Sequence, residues 1–196
     1  MPTNTDSLIA SYESIATSTL GHLTDDGYLA GITAQTRTQR LLGRARTVRL
    51  PPGDGTPIRQ ALIQSQPGDV LVIDMGDETH RACWGELRTL AALNKGLAGI
   101  VTNGCVTDIQ AVNDLSFPAF ASGISPITTR ALGGEGSLDE PIVLAGVTVS
   151  SGDVILGDED GLFACSPRSA EHWINALLER QEWEAGRRHE LGLIKA

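Results

Sequence analysis

Aromatic residues are scarce, at 4% of the chain, so the core has to be built from Ala, Val, Ile and Leu rather than from large rings. No apolar run approaches the roughly 20 residues of a membrane-spanning helix, so no membrane association is expected. The opening MPTNTDSLIASYES lacks a basic region followed by an apolar segment; no secretion signal is expected and the cytoplasm is the expected location. Only three cysteines occur, Cys83, Cys105 and Cys165, odd in number and without a CxxC, which suits a reducing compartment better than a disulfide framework. Positive charge is also short: 15 Lys and Arg stand against 24 Asp and Glu, a net −9. A phosphate-binding face needs clustered positive charge, so nucleic acid is disfavoured as a partner. The densest basic group is Arg37, Arg40, Arg44, Arg46 and Arg49. Alternation in Arg44-Ala-Arg-Thr-Val-Arg-Leu50 predicts a strand, with Arg44, Arg46 and by extension Arg49 on a wet face, as solvated residues or subunit contacts.

Several chemical motifs are absent too. His22, His80, His172 and His189 have no mutual spacing that suggests zinc. Gly133-Gly-Glu-Gly136 has no following Lys-Ser/Thr and no strand feeding it, so it is not a phosphate loop. Asp158, Asp160 and Gly161 read as a tight hairpin turn rather than a calcium loop. Cys105 has no identifiable base and reads as a small buried residue.

The 196 residues suffice for one sizeable core, and a second independent domain would be cramped. The informative stretch runs from Pro67 to Asp108. Asp69-Val-Leu-Val-Ile-Asp74, bounded by Pro-Gly and Gly76, predicts a strand buried on both faces. A loop follows, then a helix from Trp84 to Lys95 with Leu87, Leu90, Ala91 and Leu93 at helical spacing and Gly96 to end it. Gly99-Ile-Val-Thr102 predicts a second strand, leading through Asn103-Gly104 to Asp108. Two parallel strands joined by a helix put both following loops at one sheet edge, where open α/β sheets bind ligands. Gly85-Glu86 should therefore lie close to Thr107-Asp108. Free N–H groups at a helix start attract an anion, and nearby carboxylates hold a divalent cation. Together they suggest a small oxo acid.

Around this unit, Asp6 is placed to cap a short helix bearing Leu8, Ile9, Tyr12 and Ile15, and Ser18 or Thr19 to begin another that ends near Gly27. Pro57 opens a helix stopped by Pro67, and 117–122 is a further strand. The Gly-rich segment from Thr128 to Pro141 is the expected mobile loop. Four β-type blocks follow, beginning at Ile142, Val147, Asp153 and Leu162. A long helix starts at Pro167 with Trp173, Ile174, Leu177 and Leu178 as its apolar stripe, its charged tail from Glu179 to Arg188 projecting from the body. Helices and strands alternate early and strands dominate late, which predicts an α/β layered fold.

The central pattern Pro-Gly-Asp-Val-Leu-Val-Ile-Asp, then Arg81-Ala-x-x-Gly-Glu86, then Gly96-x-x-Gly-Ile-Val-x-x-Gly-x-x-x-Asp108 resembles the RraA-like family. Gly43–Asp54 is similar to that family's N-terminal strand and loop, and Gly152–Gly161 to its late hairpin, so the resemblance covers roughly residues 18 to 185. The family includes regulators of ribonuclease E activity and class II 4-hydroxy-4-methyl-2-oxoglutarate/4-carboxy-4-hydroxy-2-oxoadipate aldolases. The resemblance implies a single domain over 1–196, an α/β/β/α sandwich similar to the swivelling phosphohistidine domain, and a homotrimer or higher homo-oligomer with sites near subunit boundaries. It implies Asp108 and Glu86 as metal residues for Mg²⁺ or Mn²⁺, with Glu86 holding a water, and Gly85, Leu87 and Arg88 binding substrate through backbone N–H groups. Arg81 also matches the family pattern. In the family's aldolases an arginine precedes the metal-binding aspartate; here Thr107 stands there, with a hydroxyl and no charge. Arg81 and Arg88 are the candidates to replace it.

Other assignments stand beside these. Asp108 could cap the next helix, Glu86 could serve the helix dipole, Gly85 could be a packing requirement, and Arg81 could pair with Asp77 or Glu78. The expected function is a metal-dependent carbon–carbon lyase acting on a small 2-oxo acid, with Glu86, Thr107 and Asp108 at the reacting centre. The alternatives are a repurposed enzyme with a larger substrate, since Thr107 leaves more room than Arg, and a non-catalytic regulator of RNA processing.

Overall fold

The computed structural model describes residues 5–38 and 40–192. In chain order the elements are α1 (Thr5–Ser11), α2 (Thr17–Gly21), β1 (Thr33–Ala34), β2 (Leu41–Arg49), α3 (Thr56–Gln64), β3 (Asp69–Asp74), β4 (Ala82–Trp84), α4 (Glu86–Lys95), β5 (Gly99–Val106) and α5 (Ile109–Asp114). They continue with β6 (Ala119–Ile124), β7 (Ser137–Leu138), β8 (Ile142–Leu144), β9 (Val147–Val149), β10 (Val154–Gly157), β11 (Leu162–Cys165) and α6 (Pro167–Glu190). The main sheet runs β1-β6-β5-β3-β2-β10-β11, with β4 beside β5 and β7 beside β2; β8 and β9 form a separate hairpin. Strands β2, β3, β5 and β6 are parallel, and β1, β10 and β11 close the edges antiparallel.

Alternation along the strands sorts the core into layers. Leu71 and Ile73 of β3 point toward α3, α4 and α5, joining Ile58, Ala61, Ala92 and Val112. Val70 and Val72 point the other way and meet Phe120, Ile155, Leu162 and the β8–β9 residues Ile142, Leu144 and Val149. Beyond β10 and β11, Val154, Leu156 and Phe163 pack on Leu20 of α2, Leu177 of α6 and Tyr12, which with Ile15 lies past the end of α1 rather than on it as expected. The result is the expected α/β/β/α sandwich. No helix among the described residues is long and apolar enough to cross a membrane.

All six residues of β3 are buried, including its terminal aspartates. Asp69 sits opposite Arg44 in register and accepts from its Nε and Nη2 at 2.9 and 2.7 Å; Asp74 sits opposite Arg49 and accepts from its Nε at 2.8 Å. Arg46 pairs with Asp139 at 2.6 Å, and Arg40 donates to the carbonyls of Tyr12, Glu13 and Ile15 at the end of α1. Arg44 and Arg46 share one half-buried face, whereas Arg49 falls on the opposite face by parity and is exposed. All four are tied to internal acceptors.

Three expectations change. Helix α2 ends at Gly21, not near Gly27. The predicted loop after β3 contains most of β4, which also takes in Trp84, so α4 starts at Glu86 rather than at Trp84. The stripe on α4 is inverted: Thr89 and Ala92 are buried while Leu87, Leu90 and Leu93 are 79, 40 and 41% exposed. Small side chains let α4 approach closely, and the Thr89 hydroxyl accepts from the indole of buried Trp84 at 2.8 Å. Helix α6 follows its expected stripe through Leu177, with Leu178 turned outward, and lies on α1 and α2 of its own chain, where Gln181 Nε2 donates to the Ser14 carbonyl at 2.6 Å. Asp158 does form the hairpin turn, and its carboxylate reaches back to Thr17 N at 2.7 Å and to the Thr17 hydroxyl. The ends of the expected domain, 1–4 and 193–196, and residue 39 lie outside the described residues.

Candidate active site

Strand β5 is longer than its neighbour. It pairs with β3 through Thr102, then overruns it, and β4 takes the vacated place, pairing with Cys105 and Val106. Asn103 makes the junction: its side chain accepts from Met75 N at 2.7 Å and donates to Asp74 at 3.1 Å. The ladder ends with Thr107 N donating to the Trp84 carbonyl at 2.8 Å. Trp84, buried and stacked 6.0 Å from Phe117, fixes this end of β4. Gly85 thus lands beside Thr107-Asp108, as the sequence implied.

Asp108 occupies the N-cap position of α5, yet its side chain makes no bond to that helix. Its backbone is left-handed at φ 52°, a conformation that aspartate tolerates better than most residues. The carboxylate turns to α4 instead, and Oδ2 accepts from Glu86 N at 3.1 Å. Gly85 is required by this approach: a Cβ there would lie 2.5 Å from Asp108 Oδ2 and 2.8 Å from Thr107 Cγ2. The N–H groups of Leu87 and Arg88 also belong to the first turn and have no carbonyl one turn back.

These residues border one open cavity of about 170 Å³, lined by Ala82 to Gly85, Leu87, Arg88, Thr107, Asp108, Thr128 and Thr129. Five expected site residues line it: Gly85, Leu87, Arg88, Thr107 and Asp108. Two do not. The side chain of Glu86 is exposed at the rim, and Arg81 lies 3.6 Å from Glu78 and donates to the Thr128 carbonyl at 3.3 Å. Arg81 is thus within ion-pair distance of Glu78, and of the two candidate replacements for the missing arginine Arg88 borders the cavity.

Sequence reasoning missed the wall formed after β6. Thr129 N donates to the Ala82 carbonyl at 2.9 Å and Ala82 N to that of Ile127 at 2.7 Å, so 127–129 runs along β4. No local motif marks these threonines. The Gly-rich segment beyond, expected to be mobile, is tied to buried Asp54, which accepts from Leu132 N at 3.1 Å, Gly134 N at 2.5 Å and Thr56 Oγ1 at 2.5 Å. Burial pushes the Cys83 thiol up to about 11 and raises that of Cys105 as well. Cys105 fills the bland role expected of it.

A donor set of one cavity-facing carboxylate and a threonine hydroxyl suits a hard cation that keeps most of its waters. No group of three or more His, Cys, Asp or Glu arranged for a metal occurs among the described residues.

The Asp54 tether carries a pH signature. The Thr56 hydroxyl above all, with the N–H groups of Thr56, Leu132 and Gly134, holds its carboxyl well below the usual range against the opposing effect of burial. A carboxyl depressed in the folded state stabilises above its unfolded value, about 4, and loses that contribution as pH falls through the folded value. Denaturant unfolding of wild type and Asp54→Asn should show a stability difference that is constant from pH 7 to about 5 and shrinks below about 4. A difference unchanged into stronger acid would remove Asp54 as the tether.

Residues 17–163 match the family model for RraA-like proteins, described as Aldolase/RraA. A 4-hydroxy-4-methyl-2-oxoglutarate aldolase of Thermus thermophilus is 34% identical over 123 residues, covering 63% of this chain and 74% of the relative. A Halalkalibacterium halodurans protein provisionally given the same name is 33% identical over 142 residues, 72% of this chain and 67% of its own length. Among solved structures, Streptomyces coelicolor RraAS2, described as an unusual member of the RNase ES inhibitor RraA protein family, is 28% identical with a TM-score of 0.80, covering 93% of this chain and 96% of that one. An uncharacterized protein from Pseudomonas syringae pv. tomato shares the fold with a TM-score of 0.83 at 24% identity, covering 100% of this chain and 92% of that one. With most of its length matched by the family model, the chain belongs to the RraA-like family.

Proposed function

We propose that this protein is a lyase that breaks a carbon–carbon bond of a small 2-oxo acid, by retro-aldol cleavage or decarboxylation. The observation that carries this reading is the meeting of the Asp108 carboxylate and the first turn of α4 at one small cavity. The kinship with 4-hydroxy-4-methyl-2-oxoglutarate aldolases agrees with it. The cavity, about 170 Å³ on a single chain, accommodates a few-carbon acid.

In this reading the N–H groups of Leu87 and Arg88 hold the substrate carboxylate, with the positive end of the helix behind them. Mg²⁺ or Mn²⁺ would be held by Asp108, with Glu86 in its outer sphere through water, and would supply Lewis acidity at the keto oxygen. The Thr107 hydroxyl offers a neutral hydrogen bond to the oxo acid. For retro-aldol cleavage, a water held by exposed Glu86 would take the proton from the C4 hydroxyl oxygen as the C3–C4 bond breaks, leaving one pyruvate. It would return that proton to C3 of the enolate to give the second; in decarboxylation it would only deliver the proton to C3. Gly85 keeps the floor clear for the Asp108 carboxylate.

Purified protein with Mg²⁺ should release pyruvate from 4-hydroxy-4-methyl-2-oxoglutarate or from oxaloacetate faster than the metal alone. Asp108→Ala should lower kcat by about 100-fold or more, and Gly85→Ala by about tenfold through displacement of the same carboxylate. Wild-type turnover indistinguishable from metal alone would contradict the reading and favour a regulator of RNA processing, the role that the likeness to the Streptomyces protein supports.

The outward leucines of α4 call for a cover. Leu87 borders the cavity, and exposed Ile124 and Ile127 flank it, Ile124 opposite Val106 in register. We assign this apolar surface to contact with another copy of the chain. Light scattering should report a multiple of 20.7 kDa, three-fold by family resemblance, and the pair Leu90→Glu and Leu93→Glu should dissociate it. A monomeric wild type, or a variant that stays assembled, would defeat this assignment.

A further inference from the structure

The side chain of Arg88 is held without an acid, unlike those of Arg44, Arg46 and Arg49. Its Nη2 donates to the Gly55 carbonyl at 3.2 Å, and its Nη1 donates to the Cys83 carbonyl and lies 3.5 Å from Thr129 Oγ1. All three acceptors are neutral. Among the described residues, no carboxylate lies within ion-pair distance of this guanidinium, whereas Arg44, Arg46 and Arg49 each have one. A guanidinium has five N–H groups, so the Nε–H and one Nη2–H lack a protein acceptor among these contacts. Burial lowers its pKa, the mark of a charge taken from water without a counter-charge. Such a charge is costly unless an anion joins it. The group is nonetheless built in: a Cβ on residue 55 would lie 2.3 Å from Nη2, so Gly55 is the cradle of this arginine.

From this we infer that the Arg88 guanidinium is an anion anchor of the cavity, binding a carboxylate of the substrate through its free N–H edge. The inference rests on the oxo-acid reading and deepens it by assigning the charged contact. Asp108, Thr107, Arg88 and Thr129 all line this one cavity. A cation beside Asp108 and an acid group beside Arg88 leave both charges compensated. A planar two-pronged donor also prefers a carboxylate to a point anion, which makes Arg88 a specificity-determining residue as well as a binding one.

Calorimetric titration with oxalate, with and without Mg²⁺, tests this without requiring turnover, so a failed lyase assay leaves it standing. Wild type should bind oxalate, and Arg88→Gln should weaken it by about tenfold or more while melting within a few degrees of wild type. Arg88→Lys, which keeps the charge and loses the fork, should fall between them. Gly55→Ala, which displaces the guanidinium and leaves its charge, should also lose affinity. An Arg88→Gln variant that binds oxalate as wild type does, changed only in melting temperature, would make Arg88 a strut between Gly55 and Cys83 and overturn the proposal. If Arg88→Gln does not fold, undiminished oxalate binding by Gly55→Ala and Arg88→Lys together would do the same. Inorganic phosphate that competes better than oxalate and depends on Arg88 would overturn the carboxylate assignment.

Discussion

The hydrogen bond from Thr107 N to the Trp84 carbonyl is the constraint on which this site depends. It exists because β5 outruns β3 by several residues and leaves an unpaired edge inside the sheet. Unpaired backbone in a buried sheet is costly, and β4 relieves it by entering alongside. That single step carries Gly85 and the start of α4 to the end of β5. Asp108 can then turn away from its own helix and bond Glu86 N. Removing the side chain at 85 completes the arrangement, since any Cβ there would collide with the carboxylate.

Charge is disposed economically around this step. Most arginines that might have formed a basic face are consumed within the fold: Arg44 and Arg49 hold the two ends of β3 through cross-strand aspartates, and Arg40 holds the end of α1. Asp54 and Asp158 are saturated by donors from distant segments. Against that background two charges stand apart at the cavity. Asp108 accepts one N–H, and Arg88 meets only neutral oxygens. In the proposed reading, an acid and a guanidinium left without each other, beside a helix start, would receive a cation and an anion together.

Much of this was legible in the residues. The strand at 69–74, the helix ended by Gly96, the hairpin turn at Asp158 and the proximity of Gly85 to Asp108 follow from burial patterns and from parallel-sheet geometry. Strand β4 was not, because its three residues make sense only beside the overrun of β5, a tertiary fact. The orientation of α4 was misread for a related reason. Leucines at helical spacing look like a core stripe, but Thr89 is held inward by the Trp84 indole and Ala92 allows close contact, so the leucines face out. Thr128 and Thr129 reach the site through loop pairing with Ala82, a contact of long sequence separation that no local pattern encodes. The role of Arg88 needed the position of Gly55, 33 residues earlier in the chain.

The central claim is that one cavity at the β5–α4 junction binds an oxo acid beside a cation held by Asp108. A crystal structure of the protein grown with Mn²⁺ and oxalate tests it most directly. The account predicts an anomalous peak at the Asp108 carboxylate, with oxalate against it and within hydrogen-bond reach of the Leu87 and Arg88 N–H groups. Manganese bound elsewhere, or oxalate absent from this cavity while present at another, would contradict it.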